Sequence, residues 1–159
     1  MRIDPDTYFM NIAFATSLRS TCPRAQVGAV LVYNGDAIAT GYNGSPKGTP
    51  HCDEDGCILS EGKCIRSVHA ETNVLMKSTF TSGSTVYVTH QPCFVCSHLL
   101  INAHVSKVIY GRTYIDPRCV LFGVESQDEY LSNAGIEVMH LPLTQGSFYY
   151  KDDKLYIKL

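Results

Sequence analysis

Four residues in two short patterns have the types and spacing to do chemistry: His69 and Glu71 in His-Ala-Glu, and Cys93 and Cys96 in Pro-Cys-Phe-Val-Cys. Cys93 and Cys96 are three apart, so on a helix they share a face and can hold one ion. A helix N-terminus also favours the thiolate form that metals need. His69 and Glu71 are two apart and do not stack on one helix face. They converge only on something beyond the helix N-terminus, toward which side chains tilt. Taken singly, Cys-x-x-Cys could equally be a redox motif, and a histidine beside an acid is usually structural. Together they mean more. One neutral imidazole and two thiolates neutralise Zn²⁺ and leave the fourth tetrahedral position for water, the arrangement of a catalytic site. Such an ion lowers the pKa of water, and Glu71 is spare as the proton carrier.

The elements that must position these groups follow from periodicity and turn chemistry. Asp4-Pro5 caps a helix in which Phe9, Ile12, Ala13 and Thr16 recur at helical spacing to about Ser20. Apolar runs at 27–33 and 37–41 flank Asn34-Gly35, the strongest short hairpin signal. Residues 68–80 read as a helix and 85–89 as a strand. Pro92 opens a helix through Ala103, 107–110 is the next strand, 127–133 a helix and 136–139 a last strand. A hairpin followed by alternating helices and strands predicts an α/β layer fold with parallel crossovers. Residues 43–66 follow neither period, and a loop that long is usually functional or stapled. The tail at 145–159 carries no assignment. No repeat or linker divides the chain, so a single domain over 1–159 is expected.

The chain has 159 residues, enough to bury about 68–70% of its unfolded surface. Thirteen Lys plus Arg against fifteen Asp plus Glu leave a formal charge of -2, which argues against a nucleic-acid polymer or an anionic membrane as partner. No apolar run approaches the ~18 residues of a membrane span, and the first residues lack a signal-peptide core, so a cytoplasmic protein is expected. Seven cysteines in a reducing compartment suggest metal or catalysis rather than disulfides. Cys22, Cys52, Cys57 and Cys64 could close a second, structural zinc site, with His51 as the rival fourth ligand. Cys119 has no partner in sequence and reads as a small core residue.

His-x-Glu together with Pro-Cys-x-x-Cys is the signature of zinc deaminases. Around it, the runs CPRAQVGAV at 22–30, GYNGSP at 41–46, His51-Cys52, YVT at 87–89, VIY at 108–110 and NAGIEV at 133–138 come in the order seen in deoxycytidylate deaminases. From about residue 6 to 139 the chain resembles a bacterial or phage-type dCMP deaminase. That resemblance implies a three-layer α/β/α fold with a five-stranded mixed sheet. It implies zinc-dependent hydrolysis of dCMP to dUMP and ammonia, supplying dUMP for thymidylate synthesis. It puts Asn43, Ala70 and Tyr114 at the substrate. Gly41, Tyr42, Asn43 and Gly44 become a candidate allosteric loop, where dCTP would activate and dTTP inhibit, each triphosphate bringing Mg²⁺. A homo-oligomer, hexamer or smaller, is implied, with Met10 and Phe14 as apolar surface positions compatible with subunit contact. Arg24, Lys47 and Arg112 are the candidate phosphate partners. Gln91, Phe94 and Val95 depart from the residues often found in the family at those places. The competing readings are a deaminase of another free cytosine nucleoside or nucleotide, or of tRNA adenosine. A zinc-organised binding module without catalysis is the rival from another class, and it has no use for a spare Glu71.

Overall fold

Side-chain alternation along the central strands builds two cores at once. In the computed structural model, residues 2–142, 148–151 and 154–157 are described, with side chains through residue 142. The chain opens with helix α1 (Pro5–Ser17) and a hairpin of β1 (Gly28–Tyr33) and β2 (Asp36–Tyr42). A one-turn helix α2 (Cys52–Asp55) and the two-residue strands β3 (Leu59–Ser60) and β4 (Lys63–Cys64) follow. Then come α3 (Ala70–Lys77), β5 (Thr85–His90), α4 (Phe94–Asn102), β6 (Lys107–Arg112), a 3-10 turn (Pro117–Phe122), α5 (Gln127–Asn133) and β7 (Glu137–His140). The main sheet has the order β2-β1-β5-β6-β7, antiparallel at β2-β1-β5 and parallel at β5-β6-β7.

On one face Ala29, Leu31, Val86, Val88, Val108 and Tyr110 pack against α3, α4 and α5 through Ala70, Val74, Leu100 and Leu131. On the other, Val30, Val32, Tyr87 and Ile109 are covered by α1. The result is the three-layer α/β/α arrangement with a five-stranded mixed sheet. Each large apolar side chain buried in these layers contributes roughly 1.5–3 kcal/mol. Tyr87 Oη donates to Asp6 Oδ1 at 2.6 Å and ties α1 to the sheet. The hairpin turn has Asn34 at φ 50° and Gly35 at φ 82°, the double positive φ that matches strand twist.

Two glycines let helices lie directly on the hairpin. A Cβ at Gly28 would sit 2.0 Å from the Ala13 carbonyl oxygen in α1, and one at Gly41 would sit 2.5 Å from the Val74 nitrogen in α3. Gly41 therefore sets how closely the helix opened by His69 approaches the sheet.

Several expectations need correction. Met10 and Phe14 are not surface positions: they are 2% and 0% exposed, because the stripe of α1 that meets the sheet is Phe9, Met10, Ala13, Phe14 and Ser17. They are core residues, not subunit contacts. α1 stops at Ser17 rather than Ser20, and α3 is shorter than 68–80 because His69 and Ser78 hold extended backbone at its two ends. Segment 43–66, expected to be functional or stapled, is held by specific contacts. Gly44 and Val68 form an antiparallel bridge, and Arg66 Nη1 donates to the Pro50 carbonyl at 3.0 Å. In the tail, β8 (Phe148–Lys151) and β9 (Lys154–Ile157) pair as an antiparallel hairpin, while 143–147, 152–153 and 158–159 lie outside the described residues. No helix among the described residues is long and apolar enough to cross a membrane.

Candidate active site

The two zinc-type patterns occupy equivalent places on neighbouring helices. His69 is the N-cap of α3 and Cys93 the N-cap of α4, each with extended backbone, and Cys96 lies in the first turn of α4. Because the helices sit side by side on one sheet face, their N-termini bring the three donors together. His69 Nδ1 is 3.6 Å from Cys93 Sγ and 3.3 Å from Cys96 Sγ. Tetrahedral zinc with ordinary Zn–N and Zn–S bonds separates such donors by about 3.6 Å. A single ring nitrogen has one proton at most and cannot donate to both sulfurs, so the spacing fits an ion better than hydrogen bonding. The residues present suit zinc.

The electrostatics agree. Cys93 is drawn down to about 3 by its bond with the Cys96 thiol and, against burial, by the His69 ring, while Cys96 is pushed upward by the same sharing of one proton. His69 is raised to about 9 by Cys93, with burial opposing and Glu71 adding to the rise. Glu71 is 4% exposed, and burial raises its carboxyl above the usual range with the His69 ring opposing. A carboxyl tuned upward by burial can hold and release a proton near neutral pH.

Of the other expected ligands, Cys52, Cys57 and Cys64 converge with their sulfurs within 4.8 Å of one another. Cys52 and Cys64 are 3.7 Å apart, close to the ~3.8 Å that tetrahedral zinc imposes on two thiolates. Burial alone would raise Cys64, yet the N–H groups of Arg66 and Ser67 and the neighbouring thiols bring it down to about 7. Cys22 stays outside this trio, though its charge is felt at Cys52. His51 turns Nδ1 to Thr21 Oγ1 at 3.1 Å.

Asn43 is 7% exposed and busy within the chain. Its Oδ1 accepts from Ser20 Oγ at 2.6 Å and Val27 N–H at 2.8 Å, and Nδ2 donates to the Ala25 carbonyl at 2.8 Å. The side chain thus shapes the 20–27 segment and keeps one amide hydrogen for another partner. Tyr42 is held from both sides: its carbonyl accepts from Asn73 Nδ2 at 2.8 Å, and the Lys77 ammonium lies 5.2 Å from its ring centroid. Ala70, fully buried, begins α3. Tyr114 sits in the loop after β6, 40% exposed. Arg24 and Lys47 are exposed, and Arg112 ends β6 half-buried. Sequence reading missed Asp116, fully buried beside the start of α4, where its Oδ2 accepts from Phe94 N–H at 3.4 Å and its carboxylate pairs with Arg118. Asp116-Pro117 is an N-cap followed by proline, a signal that marks this turn in the sequence.

Among α/β folds, a His-Cys-Cys donor set at two neighbouring helix N-termini beside a buried glutamate is the arrangement of the zinc-dependent deaminases. Known proteins narrow the class. Residues 3–112 match the family described as "Cytidine and deoxycytidylate deaminase zinc-binding region", and the chain belongs to that family. It is 43% identical over 117 residues to ComE operon protein 2 of Bacillus subtilis (strain 168), covering 71% of this chain and 62% of that protein. It is 38% identical over 125 residues to the deoxycytidylate deaminase of Mycobacterium phage D29, covering 70% of this chain and 97% of that one. The crystal structure of dCMP deaminase from the cyanophage S-TIM5 in complex with dCMP and dUMP superposes with a TM-score of 0.72 at 33% identity, over 89% of this chain and 99% of that one.

Proposed function

We propose that the chain is a single deaminase domain that hydrolyses dCMP to dUMP and ammonia and so supplies dUMP for thymidylate synthesis. The observation that carries this is the convergence of His69, Cys93 and Cys96 beside a buried Glu71, in a chain similar to enzymes named for dCMP. His69 Nδ1 and the sulfurs of Cys93 and Cys96 are the zinc ligands. Zinc, when bound, supplies the Lewis acidity that makes water a nucleophile near neutral pH. Glu71 takes a proton from the attacking water and passes it to the pyrimidine N3, then takes the remaining proton from the hydroxyl now on C4 and delivers it to the departing amine. The C4–N bond breaks, a C4–O bond forms, and nitrogen leaves as NH₃. Ala70 and Asn43 line the substrate, Asn43 with its remaining amide hydrogen, and Tyr114 borders the base. Arg24, Lys47 and Arg112 are the cations from which the phosphate partner is drawn.

Cys52, Cys57 and Cys64 hold a second, structural zinc, with Cys22 the better placed fourth ligand because Cys52 already feels its charge and His51 is turned to Thr21. Loop 41–44 receives dCTP as activator and dTTP as inhibitor, with Mg²⁺ on the triphosphate. Asn73 links this loop to α3, and the Gly44–Val68 bridge links it to the residue before His69. Regulation of this kind changes affinity about 5–150-fold and needs the homo-oligomer, hexamer or smaller, to appear as sigmoidal kinetics. A reducing cytoplasm keeps the cysteines available as thiolates and is the compartment proposed.

Ammonia release from dCMP, deoxycytidine, dCTP, cytidine and tRNA adenosine tests the reading. dCMP should be turned over with the highest kcat/KM. Equal rates on the nucleoside remove the nucleotide specificity, and preference for tRNA adenosine removes the substrate class. Rates at low dCMP with each triphosphate and Mg²⁺ test regulation; unchanged hyperbolic curves leave an unregulated enzyme.

A further inference from the structure

Gln91, Gln127 and Asp116 are buried polar residues that the proposed reaction does not use. They share a target. Tyr114 N–H donates to Gln91 Oε1 at 2.9 Å, and Gln127 Nε2 donates to the Tyr114 carbonyl at 2.7 Å. Two buried amides therefore hold both backbone polar groups of one loop residue. Neither amide is free to turn. Gln91 Nε2 donates to Asp128 Oδ1 at 2.7 Å, and the other oxygen of that carboxylate accepts from the Tyr110 hydroxyl at 2.7 Å. Gln127 Oε1 accepts from Asp116 N–H at 3.2 Å, and Asp116 in turn receives the Phe94 N–H between the two site cysteines. The bonds run from β6 through α5 into the loop and end on the turn that carries Cys93 and Cys96.

Packing alone does not require such a chain. An apolar residue of similar size at 91 or 127 would fill the space with no polar atom to satisfy. A fully satisfied buried network instead fixes one geometry and penalises the alternatives. What it fixes here is Tyr114, whose side chain stays 40% exposed and whose hydroxyl feels the charges of Asp116 and Cys93. We infer that Gln91 and Gln127 are positioning residues that clamp the Tyr114 backbone against the zinc-ligand turn, so that the Tyr114 ring forms a fixed wall of the substrate site and sets affinity for the nucleotide. This role rests on the dCMP reaction proposed above. A wall that touches substrate and transition state alike acts on KM and not on kcat.

Gln91→Met keeps the length of the side chain and removes both hydrogen bonds. Steady-state rates on dCMP should show KM raised roughly 10-fold or more with kcat within about 2-fold, at the zinc content of the parent. In a Tyr114→Ala background the same substitution should move KM by less than about 2-fold, because the wall it places is gone. Gln91→Glu sets a carboxylate against Asp128 and should behave like the Met variant. Joined to Asp128→Asn, it regains an acceptor for Tyr114 N–H and a donor across the pair, and KM should return to within about 3-fold of the parent. An unchanged KM in Gln91→Met, an equal effect without the Tyr114 ring, failure of the paired rescue, or loss of zinc and kcat together in the variant overturns the clamp, while turnover of dCMP by the parent leaves the proposed reaction standing. A parent with no activity on dCMP removes the reaction itself and this role with it.

Discussion

The two cysteine clusters are built from similar donors and differ in what holds them. His69, Cys93 and Cys96 stand on the N-termini of α3 and α4, whose buried faces belong to the main core. Cys52 stands on the single turn of α2, Cys64 on the two-residue β4 and Cys57 in the connection between α2 and β3, in a segment with few apolar residues in the core. The first cluster is carried by helices packed into the core and keeps a buried carboxyl beside it. The second has cysteines alone, in a segment tied down by the Gly44–Val68 bridge and the Arg66 bond to the Pro50 carbonyl. If the second zinc proposed above is bound there, one cluster is arranged for chemistry on a packed frame and the other adds to its own frame.

The comparison is broken most sharply at Glu71. Glu71→Gln keeps the volume and the zinc but cannot carry a proton, so kcat should fall about 10²–10⁴-fold with metal content unchanged. Turnover near the parent rate would leave the first cluster without its catalytic distinction. Elemental analysis of the parent should find two zinc ions per chain, one lost in His69→Ala and the other in Cys64→Ser. The second loss should also unfold its segment and cost about 3–5 kcal/mol in urea denaturation, since site and fold form together there. His69→Ala should lower stability less, because packed helices hold that site. A single zinc in the parent, or equal destabilisation by the two variants, erases the contrast. Gly41→Ala tests the rigid frame from beneath: its Cβ would meet backbone of α3 at 2.5 Å and 2.6 Å, so α3 must move. About 1–3 kcal/mol of stability should be lost, with activity reduced and zinc at the Cys52 cluster retained. A variant with parental activity and stability would mean the helix gives way without disturbing His69 or Glu71.

The rigid region was also the more legible one. Strands β1, β5 and β6 are short, largely apolar runs because both of their faces are buried, and His-x-Glu and Pro-Cys-x-x-Cys are local patterns whose spacing survives folding. Met10 and Phe14 were misplaced because an apolar helix stripe can be drawn through either of two adjacent positions, and only the sheet beneath α1 decides between them. The family resemblance puts Asn43 at the substrate, while its bonds to Ser20, Ala25 and Val27 depend on a loop with no periodic signal. The network of Gln91, Tyr110, Asp116, Gln127 and Asp128 joins residues from one strand, one helix and two loops. No short pattern announces it. Segment 43–66 offered cysteine spacing but not which sulfurs meet, because non-local contacts such as the Gly44–Val68 bridge leave no periodic signal.

Acid offers the smallest and most selective test of the difference, because the fully buried carboxylate of Asp116 braces the first cluster. Arg118 holds the Asp116 carboxyl well below the usual range, with burial opposing and the Arg118 and Phe94 N–H groups helping. The folded chain therefore keeps Asp116 ionised at a pH where the unfolded chain, with a carboxyl near 3.9, already binds a proton. Stability from this group is complete above that unfolded value and is lost progressively as pH falls below it toward the folded value. Because one edge of Arg118 is in water, with the side chain 34% exposed, the contribution is discounted to about 1 kcal/mol. Urea midpoints of the parent and Asp116→Asn, both with excess zinc, should differ by a constant amount from pH 7 to about pH 5 and draw together below about pH 4. Amide hydrogen exchange then separates the regions: the variant should lose protection at Phe94 and the first turn of α4, with none lost at Arg66 and Ser67 beside Cys64. A gap between parent and variant that persists unchanged into acid would show that Asp116 acts through shape and hydrogen bonding alone, and that the two clusters do not differ in how acid reaches them.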